Sequence, residues 1–224
     1  MFVPKSLFFP AALCAIALTA CDRSPASGSS AGVDDFGDTV SVRSSPRRIV
    51  SLNPATTEIL FTLGAGERLV GRTKYDLWPD SAKLIPALGD GIRPNVEAVL
   101  GTHPDLVVLY ASADNRPAAQ RFRASGVNTL SLKIDHIADF RRTVELLGAI
   151  LGDSLRARTV VDSVYRTLDA VRSATAGLEP VKVFWHIWDA PLITIGAGSF
   201  MNELVQIAGA KNVYDDIQGP SAQI

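Results

Sequence analysis

Short continuous apolar runs alternate along most of this chain with segments whose apolar residues recur at every third or fourth position. The first clear pair begins at Arg48-Ile49-Val50-Ser51-Leu52, a run that reads as a buried strand. Asn53 follows as a helix N-cap, Pro54 suits the first helical position, and the helix expected over 55–63 is stopped by Gly64. Further strands are expected at 69–72, 84–88, 105–110 and 127–132, and helices at 94–100, 114–124 and 136–151, with Gly126 and Gly152 ending the last two helices. Ahead of them, 33–42 alternates about Phe36-Gly37-Asp38 and predicts an edge hairpin, closed by Pro46. Alternation of strand and helix places a mainly parallel sheet between two helical layers, an α/β fold.

Residues 153–174 predict the longest helix. Asp153 can cap it, neither Gly nor Pro interrupts it, and Leu155, Val160, Val161, Val164, Leu168 and Val171 share one face. Arg156, Arg158, Asp162, Arg166, Asp169 and Arg172 cover the rest. At about 1.5 Å per residue the run spans roughly 30 Å, enough to cross a domain face. Strands at 181–187 and 192–195 and a helix at 199–208 follow, Gly209 ends that helix, and Val213-Tyr214 begins another element. The expected division is an N-terminal α/β unit over 33–152, a linking helix over 153–175 and a partial C-terminal α/β unit over 176–224. No third or fourth strand is expected in the last part. Its sheet then has an open edge, and a chain ending at Ile224 should unfold with poor cooperativity or aggregate.

The segment 1–20 carries one positive charge, Lys5, and then an apolar run from Leu7 to Ala20. That run is shorter than the ~20 residues needed to span a bilayer, and Pro10 interrupts it. It reads as a secretory signal. Leu18-Thr19-Ala20-Cys21 resembles the lipobox of bacterial lipoproteins, which implies cleavage before Cys21 and its acylation, so that the chain is anchored at a membrane surface without spanning it. Residues 21–32 are small, polar and Pro/Gly-containing, the composition of a flexible tether. Cys14 leaves with the signal and Cys21 carries lipid, so the mature body is expected to have no thiol, disulfide or thiolate metal site.

Twenty-two Lys and Arg against twenty-three Asp and Glu leave a net charge of -1, which provides no electrostatic footprint for nucleic acid. No nucleophile, base or metal cluster converges in the sequence: His103, His136 and His186 lie far apart without a partner at helical spacing, so no metal or cofactor is expected. His103 and His136 read as surface or capping residues, whereas His186, between Trp185 and Trp188 at a strand end, can face a cleft. Gly196-Ala197-Gly198 follows a strand and opens a helix but lacks the third glycine of the dinucleotide fingerprint, Met201 standing in its place. Such a loop can still offer backbone N–H groups to a polar or anionic ligand. Tyr75, Trp78, Tyr110, Trp185, Trp188 and Phe200 offer broad surfaces for a large ligand, although Trp78 and Trp185 taken singly read equally well as core fillers.

RRIVSLNPATTEILFTLGAGERLVG (47–71), Tyr75-Asp76-Leu77-Trp78-Pro79, NVEAVLGTHPDLVVLY (95–110) and ITIGAGSFMNELVQIAGAKNVY (193–214) occur in that order after the hairpin VDDFGDTVSV. Together they resemble the periplasmic binding proteins for vitamin B12 and ferric siderophores. The resemblance implies a solute-binding protein of an ABC importer with two Rossmann-like lobes, the second incomplete here, joined by one long rigid helix with ligand in the groove between them. It implies Tyr75 and Tyr110 as aromatic cleft positions and Gly89, Asp90 and Gly91 as a loop beside the cleft. It also implies Glu97 as the acidic residue that meets arginines of the permease, where the local reading is a charge favoured by the helix dipole. The second-lobe counterpart of Glu97 would fall just beyond Gln223. Trp78, His186, Trp188, Gly196, Gly198 and Phe200 complete the expected ligand-contacting set. The protein expected is a lipid-anchored monomer on the periplasmic or cell-surface side of the membrane that captures a corrinoid or an iron chelate without catalysing a reaction. TKYDLWP favours the corrinoid; a haem receptor, a sensor or interaction domain, and an extracytoplasmic α/β enzyme are the alternatives. The uninterrupted linking helix predicts small lobe movements.

Overall fold

The computed structural model describes Met1, residues 29–42 and residues 44–224; the expected signal segment, Cys21 and most of the tether lie outside the described residues. A hairpin of β1 (Ser29–Val33) and β2 (Thr39–Val42) comes first, turning where Phe36, Gly37 and Asp38 were expected to turn it. Four parallel strands then form the main sheet: β3 (Ile49–Leu52), β4 (Leu69–Gly71), β5 (Leu106–Tyr110) and β6 (Asn128–Leu132), in the spatial order β4-β3-β5-β6. The connecting helices are α1 (Pro54–Thr62), α2 (Val96–Gly101) and α3 (Arg116–Ala124), with α4 (Ile137–Leu151) and α5 (Ser154–Thr175) after the sheet. β3 and β5 are near-continuous apolar runs because both faces of the sheet are covered. Ile49, Leu106, Val108, Leu130 and Leu132 pack against α1, α4 and α5, while Val50, Leu52, Val107 and Leu109 pack against α2 and α3. Each fully buried leucine here contributes about 2 kcal/mol of apolar burial.

The hairpin is tied to β6 by charge. Asp34, with a fully buried side chain, accepts from the backbone N–H groups of Phe36, Asp38 and Ser131, and pairs with Arg123 at 2.5 Å. Arg123 reaches Asp38 as well, at 2.7 Å. A buried ion pair persists only when its remaining lone pairs and protons are used, and those N–H groups use them.

α4 ends at Gly152, whose φ of +80° is the left-handed cap expected there, and Asp153 caps α5 by accepting from Arg156 N at 2.9 Å. The two helices approach closely where Gly148 faces Ala157: a Cβ on Gly148 would stand 2.3 Å from that of Ala157. The apolar face expected on α5 is only partly used. Ala157 and Val161 are buried and Val160, Val164 and Leu168 half-buried, but Leu155 is 76% exposed because two residues ahead of Ala157 it falls on the opposite side of the helix, and Val171 is exposed because α4 covers only the first part of α5.

Beyond α5 the structure corrects the expected strands. The run 181–187 is split into β7 (Val181–Val183) and β8 (His186–Trp188), which belong to different sheets. β9 (Ile193–Ile195) pairs with β8, and α6 (Phe200–Ile207) follows, capped by Ser199. Two further strands, absent from the sequence expectation, come next. β10 (Ala210–Asn212) runs parallel to β7, and β11 (Ser221–Gln223) antiparallel to β9. Strands of three residues carry too little alternation to be read. The strand expected at 84–88 is reduced to one bridge between Arg72 and Ala87, after a turn of 3-10 helix over Asp80–Leu84. Pro86 has no N–H to extend a ladder there. No helix of the described residues is long and apolar enough to cross a membrane.

Candidate functional site

In a parallel sheet the chain leaves each strand at the same edge, and a crevice opens where successive connections turn opposite ways. Here β3 leads to β4 on one side while β5 lies on the other, so the switch point falls between the carboxyl ends of β3 and β5. The segments gathered at this edge are Asn53-Pro54-Ala55 after β3, Thr73–Trp78 after β4, Gly89–Gly91, Tyr110 at the end of β5, and Ile134-Asp135-His136 after β6.

Each segment is held by an identifiable contact. Asn53 Oδ1 accepts from Ala55 N at 2.9 Å, which fixes the entry to α1. Gly91 has φ of +86°, and a Cβ there would meet the Leu52 carbonyl oxygen at 2.6 Å, so only glycine lets this loop lie on the end of β3. Asn115 is buried and donates from Nδ2 to the carbonyls of Gly91 and Tyr110, both at 3.0 Å, stapling loop to strand end. The Lys74 N–H donates to Gly89 O at 2.7 Å and so joins the Tyr75 loop to the same cluster. Asp90 is half-buried and accepts from the N–H groups of Ile92 and Arg93, which hold its carboxyl below the usual carboxylate range. The Tyr110 hydroxyl donates to Asp135 Oδ1 at 2.7 Å. Burial first, and this bond next, push the phenol well above its ordinary value, so Tyr110 stays a neutral phenol with its proton committed and its oxygen free to accept.

α6 faces this edge. Glu203 Oε1 lies 2.6 Å from His136 Nδ1, and Oε2 accepts from the Ile137 N–H at 3.0 Å. The bond to Glu203 is the main cause that raises His136 above the usual imidazole value, and burial opposes it. Beside the pair, Ala55, Ile134, Phe140, Phe200 and Leu204 help to enclose an apolar cavity of about 260 Å³. An open groove of about 690 Å³ continues past it between Ile137, Tyr165, Asp169, Arg172, Glu203 and Gln206.

The residues singled out by sequence divide accordingly. Tyr75, Trp78, Gly89, Asp90, Gly91 and Tyr110 lie at the carboxyl edge, with Tyr75 and Trp78 more than half exposed, so Trp78 is not a core filler. Phe200 meets this edge from α6. His186 and Trp188 stand on exposed β8, where His186 pairs with Asp189 at 3.0 Å, and neither lines the cavity beside Phe200. The amides expected to face a ligand in the glycine-rich loop are already used: Gly196, Ala197 and Gly198 donate to the carbonyls of Pro220, Ile217 and Gly219. Glu97, exposed on α2, pairs with Arg121 at 2.7 Å. Sequence reasoning missed Asn115, Asp135 and Glu203 as members of the site. The one local signal was Asn115 ahead of Arg116-Pro117 as a helix start. Among the described residues no group of three or more His, Cys, Asp or Glu is placed to hold a metal ion.

A family model described as periplasmic binding protein matches residues 49–224. An uncharacterized ABC transporter substrate-binding lipoprotein of Bacillus subtilis, YvrC, is 30% identical over 198 residues, which cover 84% of this chain and 62% of that protein. A vitamin B12-binding protein of Yersinia pestis is 24% identical over 177 residues, 79% of this chain and 63% of that one. The chain thus spans 62% and 63% of the length of these relatives. Among solved structures, the periplasmic vitamin B12-binding protein BtuF of Vibrio cholerae superposes with a TM-score of 0.71 at 22% identity, covering 80% of this chain and 71% of that one. The periplasmic haem-binding protein RhuT of Roseiflexus superposes with 0.73 at 24% identity, covering 80% and 70%. At such identities these structures establish the fold.

Proposed function

Because the chain belongs to the periplasmic binding protein family, we propose that it is a solute receptor of an ABC importer that captures a corrinoid or an iron chelate between two lobes and delivers it to a permease. The observation that carries this reading is the gathering of Tyr75, Trp78, Gly89–Gly91 and Tyr110 at the switch point of the parallel sheet, with α6 facing them. Exposed aromatic faces beside a short polar loop suit a large, flat, partly apolar ligand. α5, with 22 residues and no Gly or Pro, is the spine between the N-terminal unit and the segment after it, and limits their relative motion. Glu97 docks to permease arginines by exchanging its bond to Arg121, which is exposed and therefore weak. Cys21 carries the lipid that keeps the receptor at the membrane surface on the outer side. Ligand capture needs no covalent step, and the protein acts without catalysis.

A corrinoid is the first candidate and a ferric siderophore the second. Haem is a third reading, favoured by the almost wholly apolar cavity beside His136 and Phe200, which suits the edge of a porphyrin. Titrating tryptophan fluorescence with cyanocobalamin, ferric siderophores and haemin separates them, since Trp78 lies at the proposed site. Saturable quenching by cyanocobalamin at micromolar concentration or below is expected. Tight binding of a siderophore or haemin without a response to cyanocobalamin reverses the order, and no response to any of the three rejects the reading. Glu97→Ala is expected to abolish uptake while leaving ligand affinity intact.

A further inference from the structure

The loop after β4 presents three large apolar side chains to solvent almost in succession: Tyr75 at 56% exposure, Leu77 at 59% and Trp78 at 65%. A surface loop of that composition would be expected to fold inward or to move. Its base contains the opposite arrangement, two charged side chains buried under it, Arg72 and Asp76, which make no ion pair with each other. Arg72 spends its guanidinium on backbone. Nε donates to Ile85 O at 3.0 Å, one terminal nitrogen to Thr73 O at 2.7 Å and the other to Lys83 O at 3.2 Å. Those carbonyls stand on the two arms of the loop, so one side chain closes it. Asp76 points the other way. One of its oxygens accepts from Thr57 Oγ1 of α1 at 2.5 Å and from Thr73 N at 3.3 Å, and the other accepts from Thr73 Oγ1, which accepts in turn from the Tyr75 N–H at 3.1 Å.

Burying two charges that do not neutralise each other is costly unless every donor and acceptor finds a partner. Here the partners are almost all the backbone and hydroxyl groups that set the course of this one loop. The arrangement spends stability on a conformation whose product is an exposed apolar surface, the pattern of a preorganised contact patch. We propose that Arg72 and Asp76 are positioning residues that hold Tyr75, Leu77 and Trp78 in ligand-ready geometry, so that capture proceeds without ordering the loop. The proposal deepens the receptor reading above and rests on it for what the loop contacts.

Two measurements test it. Hydrogen exchange at the amides of 73–78 reads loop order directly, and it is expected to quicken in Asp76→Asn and in Thr57→Val while Thr57→Ser, which keeps the hydroxyl, restores slow exchange. Stopped-flow binding of cyanocobalamin and haemin reads the consequence: Asp76→Asn should raise the dissociation rate of whichever probe binds by about tenfold and leave the rest of the fold's exchange unchanged. In a Tyr75→Ala/Leu77→Ala/Trp78→Ala background, adding Asp76→Asn should change affinity no further, since the side chains it positions are gone. Unaltered loop exchange in Asp76→Asn would overturn the proposal whether or not a probe binds. So would an Asp76→Asn defect of equal size in the background lacking all three side chains. If the wild type binds neither probe nor a ferric siderophore, yet its loop exchange depends on Asp76 as described, the receptor reading fails and the positioning role stands.

Discussion

Glu203→Gln removes the charge that holds α6 against the carboxyl edge of the main sheet while keeping an oxygen of the same size. The wild-type carboxylate bridges His136 Nδ1 and the Ile137 N–H, at 2.6 and 3.0 Å. The His136 side chain is 51% exposed and that of Glu203 31%, so solvent screens the pair to about 0.5–1 kcal/mol. The bond to Ile137, which glutamine can keep, is worth about 1 kcal/mol. Hydrogen bonding to Glu203 raises His136 in the folded state, burial lowers it, and the charges of Glu203, Asp139 and Asp135 add to the rise. A raised folded value means that the stabilisation is complete below the unfolded imidazole value and is lost as pH rises through the folded one. Between about pH 6 and about pH 8.5 the wild type should therefore lose about 0.5–1 kcal/mol that Glu203→Gln does not lose. Urea unfolding followed by tryptophan emission at both pH values measures this. The difference between the two proteins cancels every pH-dependent contribution common to both. Equal pH slopes for wild type and Glu203→Gln, or a wild-type advantage that grows with pH, would refute the reasoning.

Asp34→Ala leaves three backbone N–H groups without their acceptor and strips Arg123 of its buried partner, and it should cost about 3 kcal/mol in chemical denaturation; a loss below about 1 kcal/mol would mean the hairpin is not anchored through this residue. Gly148→Val drives a side chain into Ala157 and should cost about 2 kcal/mol or more by separating α4 from α5, with partial recovery when Ala157→Gly is added; additive losses in the double variant would contradict the close approach.

What could be read from sequence was local. The runs at Ile49–Leu52 and Leu106–Tyr110 are apolar because helices cover both faces, and Asn53-Pro54, Gly152 and Asp153 mark helix ends through contacts within a few residues. The split of 181–187 escaped because its two strands answer to partners at 210–212 and 193–195, which the run itself cannot signal. The glycine-rich loop misled for the same reason: its amides look free until residues 217–220 fold back onto them. His136 and Glu203 meet across 67 positions and share no spacing pattern. Asp76 reads as an ordinary loop aspartate, and only the placement of Thr57 over it turns it into a buried anchor.

In the proposed receptor, the carboxyl edge of the main sheet and the start of α6 form one ligand surface. Hydrogen exchange of the whole chain, with and without saturating ligand from the fluorescence titration, tests it most directly. Coincident protection is expected at 73–78, 89–91, 110–115 and 134–137 together with 199–204. Saturable binding that protects none of these segments, or protects only β8 around His186 and Trp188, would contradict it.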